Sequence, residues 1–130
     1  MIAELLTSAY LLLATQELAD CNICTKKIEI QKMEGLMGMY SIPDRSIYLN
    51  PKVSRRTERL WTIHHEAAHD IFRDLKNEYI RKSEPITEYA KTDYHEQIAE
   101  LWAEWKVNGG RPNRAQRILI KHYDVKNSCN

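Results

Sequence analysis

The sequence lacks an excess of charge of either sign, since 19 lysine and arginine residues face 18 aspartate and glutamate residues. An overall electrostatic attraction to nucleic acid or to a membrane surface is therefore missing, and we expect no direct nucleic-acid binding. The chain also lacks repeats and low-complexity segments, and 43% of its residues are hydrophobic, so disorder is not expected. Its length fits a single domain over residues 1–130 with a hydrophobic core.

A membrane-spanning segment is also missing, because no apolar run approaches the roughly 20 residues that a bilayer requires. The apolar run 10–14 could be taken for part of a signal peptide. However, no lysine or arginine precedes Lys26, and Glu4 and Glu17 interrupt the stretch. Apolar residues at helical spacing instead predict a packing helix over residues 2–19. We therefore expect a cytoplasmic protein.

The three cysteines are too few, and odd in number, for a disulfide scaffold in a chain without a signal peptide. Cys21 and Cys24 form a CxxC pair, which could be half of a zinc site or a redox pair. A complete zinc site needs two further ligands, and only Cys129 remains. A plain structural role for the pair is therefore the favoured interpretation.

The first half of the chain after the initial helix has the pattern of a small sheet. Residues 27–33 alternate between apolar and polar side chains, residues 37–42 form a second candidate strand, and residues 46–49 form a third. Short turn-rich connections separate the three segments. The pattern predicts a three-stranded antiparallel meander.

The second half is predicted to be mainly helical, which makes the expected fold class α+β. A helix is predicted to begin near Ser54 or Thr57 and to reach about Leu75. Apolar residues occupy two of its sides, so we expect it to be largely buried. Residues 77–92 are polar and predict a loop. Further helices are predicted over residues 93–107 and 112–123.

The most informative motif is His65-Glu66-Ala67-Ala68-His69, an HExxH pattern on the predicted buried helix. Residues four apart lie on one helix face, so two imidazoles can bind the same tetrahedral Zn²⁺. Glu66 projects from the adjoining surface and can act as a general base on a water at the metal. The motif therefore predicts a zinc site with His65 and His69 as ligands.

A catalytic zinc usually has a third protein ligand, and the helix predicted from residue 93 is its natural source. That helix offers His95, Glu96 and Glu100. Successive residues are rotated by about 100° around a helix, and the apolar side chains of this one form an arc on one side. His95 lies within that apolar arc, Glu96 lies at its edge, and Glu100 points further towards solvent. A ligand must reach into the protein, which favours Glu96 or His95 over Glu100.

Residues 46–50 and 62–69 together resemble the ImmA/IrrE-type zinc metallopeptidases, which pair a short strand ending in Asn with an HExxH helix. Members of that family carry Glu-x-x-Ala-Asn-x-Phe-Ala on a later helix, and its Glu is the third zinc ligand. Residues 96–103 match this pattern, so the resemblance implies that Glu96 is the ligand and that the fold is a minimal zincin. Glu100 departs from the family's Asn, and the family's Leu-Leu-Met-Pro is absent. His95 stays open as an alternative, because SprT-like proteases use a later histidine.

The motif and the resemblance imply a zinc-dependent endopeptidase that hydrolyses a peptide bond in a protein substrate. In this interpretation Glu66 activates the zinc-bound water and later delivers the proton to the leaving amine. Tyr94 is the candidate for stabilising the oxyanion; the alternatives are His64, Tyr89 and His95. Asp70 or Asp93 could orient a histidine ligand.

The resemblance also implies that the substrate is a DNA-binding repressor, which nothing in the composition indicates. The first alternative is a non-catalytic binding or inhibitory protein on a zincin scaffold. The second is a nucleic-acid-associated module, since arginines could form basic patches; these are Arg55, Arg56, Arg59, Arg111, Arg114 and Arg117.

Overall fold

The computed structural model describes residues 2–127, with every side chain in that range except those of residues 2–6, 92 and 127. Within this range the chain has the predicted α+β character, with five α-helices and a small mixed sheet. The elements follow in the order α1 (Ile2–Glu17), β1 (Lys27–Ile30), β2 (Gly38–Ser41), β3 (Ser46–Leu49), α2 (Arg56–Ile71), α3 (Glu78–Lys82), a 3₁₀ turn (Tyr89–Thr92), α4 (Tyr94–Asn108) and α5 (Arg114–Asn127).

The sheet has the strand order β1-β3-β2, so the predicted antiparallel meander is wrong. Strand β2 pairs antiparallel with β3, whereas β1 pairs parallel with it. Asn50, directly after β3, explains the difference, because it holds the β1–β2 connection across the end of β3. Its side-chain amide donates to the carbonyls of Met33 and Leu36, both at 2.8 Å. The connection therefore crosses β3, and β2 forms on the far side.

Helix α2 is buried along most of its length, as predicted, and it packs most extensively against α4. Aromatic packing closes one end of this contact, where the rings of Phe72 and Trp102 meet edge to face with centroids 5.0 Å apart. The core between the two helices and β3 includes Ile47, Ile63 and Ile98, each about 1% exposed. The histidine motif therefore lies on a helix whose position is fixed from several sides.

Several predicted boundaries shift. Helix α2 ends at Ile71 rather than near residue 75, and Arg55 precedes it as an N-cap without a side-chain hydrogen bond. Helix α1 ends at Glu17 instead of residue 19, and α5 continues to residue 127 instead of 123. The predicted loop 77–92 contains α3, because Asn77 caps that helix by accepting a hydrogen bond from the backbone of Ile80. The fully buried Ile80 anchors α3 to the core.

Cys21 and Cys24 are joined in a disulfide with their Cα atoms 5.4 Å apart. Their use as half of a zinc site is thereby excluded in this form of the protein, and the odd cysteine count gives no indication of the bond. Cys129 lies outside the described residues.

Across residues 2–127, no helix is both long and apolar enough to cross a membrane.

Candidate metal centre

The two histidines of the HExxH motif lie one turn apart on α2, and Glu96 reaches them from the first turn of α4. One carboxylate oxygen of Glu96 lies 2.9 Å from Nε2 of His65, and the other lies 3.1 Å from Nε2 of His69. One potential ligand atom from each of the three residues lies within 4.8 Å of the others. This group could hold a metal ion.

Small residues allow the two helices to come close enough for this arrangement. Ala67 and Ala68 stand between the two histidines of α2, and Ala99 and Ala103 follow Glu96 on α4. All four are at most 1% exposed. A larger side chain at these positions would separate the helices, because buried interiors are packed without spare volume. The alanines of the motif therefore have a packing role of their own.

The electrostatics of the group favour a cation between its members. Burial lowers the pKa of His65, but the nearby carboxylates of Glu100 and Glu96 outweigh burial and raise that pKa to about 10. Burial raises the pKa of Glu96, but the two histidines outweigh burial and hold that pKa well below its usual range. The carboxylates therefore attract positive charge to the histidine nitrogens, whether a proton or a metal ion carries it.

Glu66 lies beside the histidine pair and is only 7% exposed. Its Oε2 atom lies 3.9 Å from Nε2 of His65, outside hydrogen-bonding distance but near the same point. Burial raises the pKa of the Glu66 carboxyl. The side chain is thus close to the possible metal position without belonging to the ligand group.

A cavity of about 570 Å³ opens at this point and is lined by Glu66, His69 and Glu96. Its opposite wall is β2, the outer strand of the sheet next to α2. Gly38 on β2 allows this close approach, since a Cβ there would lie 2.7 Å from Cγ2 of Thr62 and 3.1 Å from Cγ of Glu66. The site therefore combines a possible metal ligand set, a buried carboxylate and an exposed strand edge.

The structure brings together His65, His69, Glu66 and Glu96, but it corrects the placement of the other two candidate ligands. Glu100 does not point to solvent: it is 6% exposed, and its Oε2 lies 3.7 Å from Nδ1 of His65. His95 is not buried in the apolar arc, because it sits in the exposed first turn of α4 and lies at the cavity edge. Neither residue belongs to the group of three.

Tyr94, the candidate for stabilising the oxyanion, is not among the residues that line the cavity. Its hydroxyl donates to the carbonyl of Leu75 at 3.2 Å and accepts from the backbone N–H of Asn77 at 3.0 Å, so it serves the α2–α3 connection. Tyr89, in the 3₁₀ turn, does line the cavity, and its ring centroid lies 6.0 Å from that of His65. Burial and the charge of Glu96 raise the pKa of Tyr89. The sequence indicates the position of Tyr89 only weakly, because the 3₁₀ turn that carries it has no marked pattern of apolar and polar residues.

The predicted orienting aspartates have other partners. Asp70 is fully buried and accepts two hydrogen bonds from the guanidinium of Arg45, at 2.9 and 2.8 Å, and one from the hydroxyl of Tyr40. The ring of Tyr40 in turn stacks on His69 with centroids 6.3 Å apart. Asp70 therefore supports His69 through Tyr40 and not by a direct bond, a connection that sequence reasoning missed. Asp93 caps α4 by accepting from the backbone N–H of His95.

His64, also named as a possible oxyanion stabiliser, is 2% exposed, and its Nε2 lies 2.9 Å from Oε1 of Glu17. Burial lowers the pKa of His64. The pair connects the end of α1 to the middle of α2. Its role is to fix α2 in the fold.

Comparisons with protein-family models, with curated proteins and with solved structures find no match.

Proposed function

We propose that this protein is a zinc-dependent endopeptidase with a minimal zincin arrangement, of the kind that the ImmA/IrrE resemblance implies. One observation carries the proposal: ligand atoms of His65, His69 and Glu96 lie within 4.8 Å of one another, beside a cavity that is lined by Glu66, His69 and Glu96. Two histidines or a carboxylate alone occur on many helices. A complete ligand set with an additional buried carboxylate beside it is a much more specific combination.

The donor set fits zinc, and the HExxH motif that supplies two of its members is a zinc-binding motif. Two imidazole nitrogens and one carboxylate are a ligand combination of catalytic zinc sites, and they leave a fourth position for water. Calcium and magnesium prefer shells made of oxygen, and copper(I) and iron–sulfur centres prefer thiolates. The two cysteines among the described residues are joined in their own disulfide. Zinc is therefore the metal that we assign.

Zinc held by His65, His69 and Glu96 would lower the pKa of a coordinated water and polarise the scissile carbonyl. Glu66 then accepts the proton of the attacking water and delivers it to the leaving amine, which its position beside the ligands allows. The Tyr89 hydroxyl, at the cavity wall, would donate a hydrogen bond to the developing oxyanion, the role that the sequence suggests for Tyr94. The low exposure of Glu66 supports this role, since few waters compete for its carboxylate.

The substrate that best fits this cavity is an extended segment of a protein. β2 is hydrogen-bonded to β3 along one edge, and Gly38, Met39 and Tyr40 of β2 line the cavity. An extended peptide can add to such an edge through main-chain hydrogen bonds. Leu36 and Ile42, 47% and 77% exposed, lie beside the cavity and would contact apolar side chains of the substrate. Following the resemblance, we extend the proposal to a DNA-binding repressor as the natural substrate.

Replacement of Glu66 by Gln tests the proposal, because Gln keeps the size of the side chain but cannot accept the proton. The purified, zinc-loaded wild type and variant are incubated with a defined peptide library, and products are identified by mass spectrometry. Glu58→Gln is the matched control, since Glu58 lies on the same helix with an exposed side chain. We expect cleavage by the wild type and by Glu58→Gln, and none by Glu66→Gln at equal zinc content.

Unchanged cleavage by zinc-loaded Glu66→Gln would contradict the assigned role of Glu66. Stoichiometric zinc in the wild type without cleavage of any library peptide or candidate repressor would contradict the peptidase proposal. That result would favour a binding protein that uses the same site.

A further inference from the structure

Glu100 is a buried carboxylate that the proposed chemistry does not use. It lies on α4, one turn after Glu96, and is 6% exposed. Its Oε1 accepts a hydrogen bond from the hydroxyl of Thr87 at 3.2 Å. Among the residues that the structure describes, its buried Oε2 has no hydrogen-bond partner. A carboxylate oxygen without a partner is costly to bury, so its position requires an explanation.

This oxygen faces the ring of His65. Oε2 of Glu100 lies 3.7 Å from Nδ1 of His65, whereas Nε2 of the same ring lies 2.9 Å from Glu96. The two ring nitrogens of His65 therefore face two different carboxylates, one turn apart on α4. A movement of a few tenths of an ångström would bring Nδ1–H and Oε2 to hydrogen-bonding distance.

The two contacts have different meanings for a metal site. A histidine ligand binds the metal through an unprotonated nitrogen and donates its other N–H to a nearby acceptor, often a carboxylate. Nε2 of His65 faces the ligand group, so the proton must be on Nδ1 when a metal is bound. Glu100 is the acceptor that this arrangement needs.

We propose that Glu100 is a positioning residue that accepts a hydrogen bond from Nδ1–H of His65 and thereby turns Nε2 of that ring towards the metal. The inference rests on the metal site of the proposed function. It also explains why this chain has a buried acid at position 100. Oε1, the other carboxylate oxygen of Glu100, accepts a hydrogen bond from Thr87, and Thr87 accepts one from the backbone N–H of Ala90, next to Tyr89. Glu100 thereby connects His65 to the cavity wall.

His69 provides an internal contrast. Among the described residues, the only carboxylate within 4 Å of a His69 ring nitrogen is that of Glu96, on the metal-facing Nε2. The adjacent Asp70 is occupied by Arg45 and Tyr40. The two histidine ligands are therefore supported differently, by a carboxylate for His65 and by ring stacking on Tyr40 for His69.

The first test measures zinc affinity by competition with a chromogenic chelator. Glu100→Leu removes the acceptor but fills its space with an apolar side chain, and Glu100→Gln restores an acceptor without the charge. Glu104→Gln is the control, because it removes an acid from the next turn of α4, where the Glu104 carboxylate accepts a hydrogen bond from the side-chain amide of Asn108 at 2.8 Å. We expect Glu100→Leu to bind zinc roughly 10- to 100-fold more weakly. Glu100→Gln should recover most of the affinity, and Glu104→Gln should equal the wild type.

The second test uses only the wild type and Glu100→Gln, so it decides the question even if Glu100→Leu does not fold. ¹⁵N NMR of the imidazoles in zinc-loaded wild type should show His65 bound through Nε2, with a slowly exchanging proton on Nδ1. In Glu100→Gln this proton should shift upfield, because an amide oxygen is a weaker acceptor than a carboxylate.

Three results would overturn the inference. They are zinc bound through Nδ1 of His65, no shift of the His65 proton in Glu100→Gln, and wild-type zinc affinity in folded Glu100→Leu. If these occur in a protein that binds zinc and cleaves peptides, the role of Glu100 is refuted and the proposed function stands. A wild type that binds no zinc would refute both.

Discussion

Replacement of Gly38 by Ala tests whether β2 lies as close to α2 as the structure indicates. A Cβ at this position would lie 2.7 Å from Cγ2 of Thr62, and 3.1 Å from both Cγ of Glu66 and the carbonyl oxygen of Tyr48. Ordinary carbon–carbon contacts are about 3.5–4.0 Å, so the nearest contact is too short by roughly 1 Å. Gly38 has no positive φ, and the effect of Gly38→Ala is therefore one of space and not of backbone strain.

The sign of the stability change follows from two opposing contributions. In an open strand, Ala is more stable than Gly by about 0.5–1 kcal/mol, because it loses less backbone entropy on folding. Overpacking a tight contact costs about 1–3 kcal/mol. The overpacking term is the larger, so Gly38→Ala should lower the free energy of unfolding by on the order of 1–2 kcal/mol. Urea denaturation of the metal-free protein measures this change.

A double-mutant cycle assigns the loss to a particular atom. Thr62→Ser removes the methyl group at 2.7 Å but keeps the hydroxyl that donates to the carbonyl of Glu58 at 2.8 Å. Gly38→Ala should therefore cost less in the Thr62→Ser background, with a coupling energy of at least about 0.5 kcal/mol. A single Gly38→Ala variant as stable as the wild type, or a coupling of zero, would refute the close approach of β2 to α2.

The remaining predictions concern metal content. His69→Ala and Glu96→Ala should each reduce bound zinc from about one ion per chain to a small fraction, because each removes one of the three proposed protein ligands. Elemental analysis after dialysis measures the zinc content. Full retention of zinc in either variant would remove that residue from the ligand set. Reduction of the Cys21–Cys24 disulfide should leave the zinc content unchanged, yet lower the free energy of unfolding by about 2 kcal/mol, the chain-entropy value for so short a loop. Release of zinc on reduction in the folded protein would contradict the assignment of these cysteines to structure alone.

The sequence was sufficient to predict the part of the site that depends on local spacing. His65 and His69 are four residues apart on one helix, so their common face follows from helical geometry. Glu96 was identified because it lies on the edge of the apolar arc of α4 and matches the motif of the resembled family. These predictions need only the position of each residue on its own helix and the assumption that the two helices meet.

Residues around this group were misplaced because a helical wheel assumes one buried side and one side in water. Helix α4 contacts α2, α3, α5 and the 3₁₀ turn, so its buried surface is much wider than its apolar arc. Glu100, which the wheel predicts to point to solvent, is buried, while His95, which the wheel predicts to lie within the apolar arc, is exposed. The direction of Tyr94 depends on the α2–α3 connection, which no local pattern describes.

Of the corrected predictions, the sheet topology has the largest consequence for the proposed function, because it decides whether β2 has a free edge beside the candidate metal centre. In the predicted meander, β2 would be the central strand, and both of its edges would be hydrogen-bonded. In the structure Asn50 holds the preceding connection across β3, and β2 becomes an outer strand beside α2. Gly38 then lets that strand approach Glu66 closely enough to form the cavity wall. The proposed use of β2 as a peptide-binding edge thus depends on one asparagine and one glycine outside the HExxH motif.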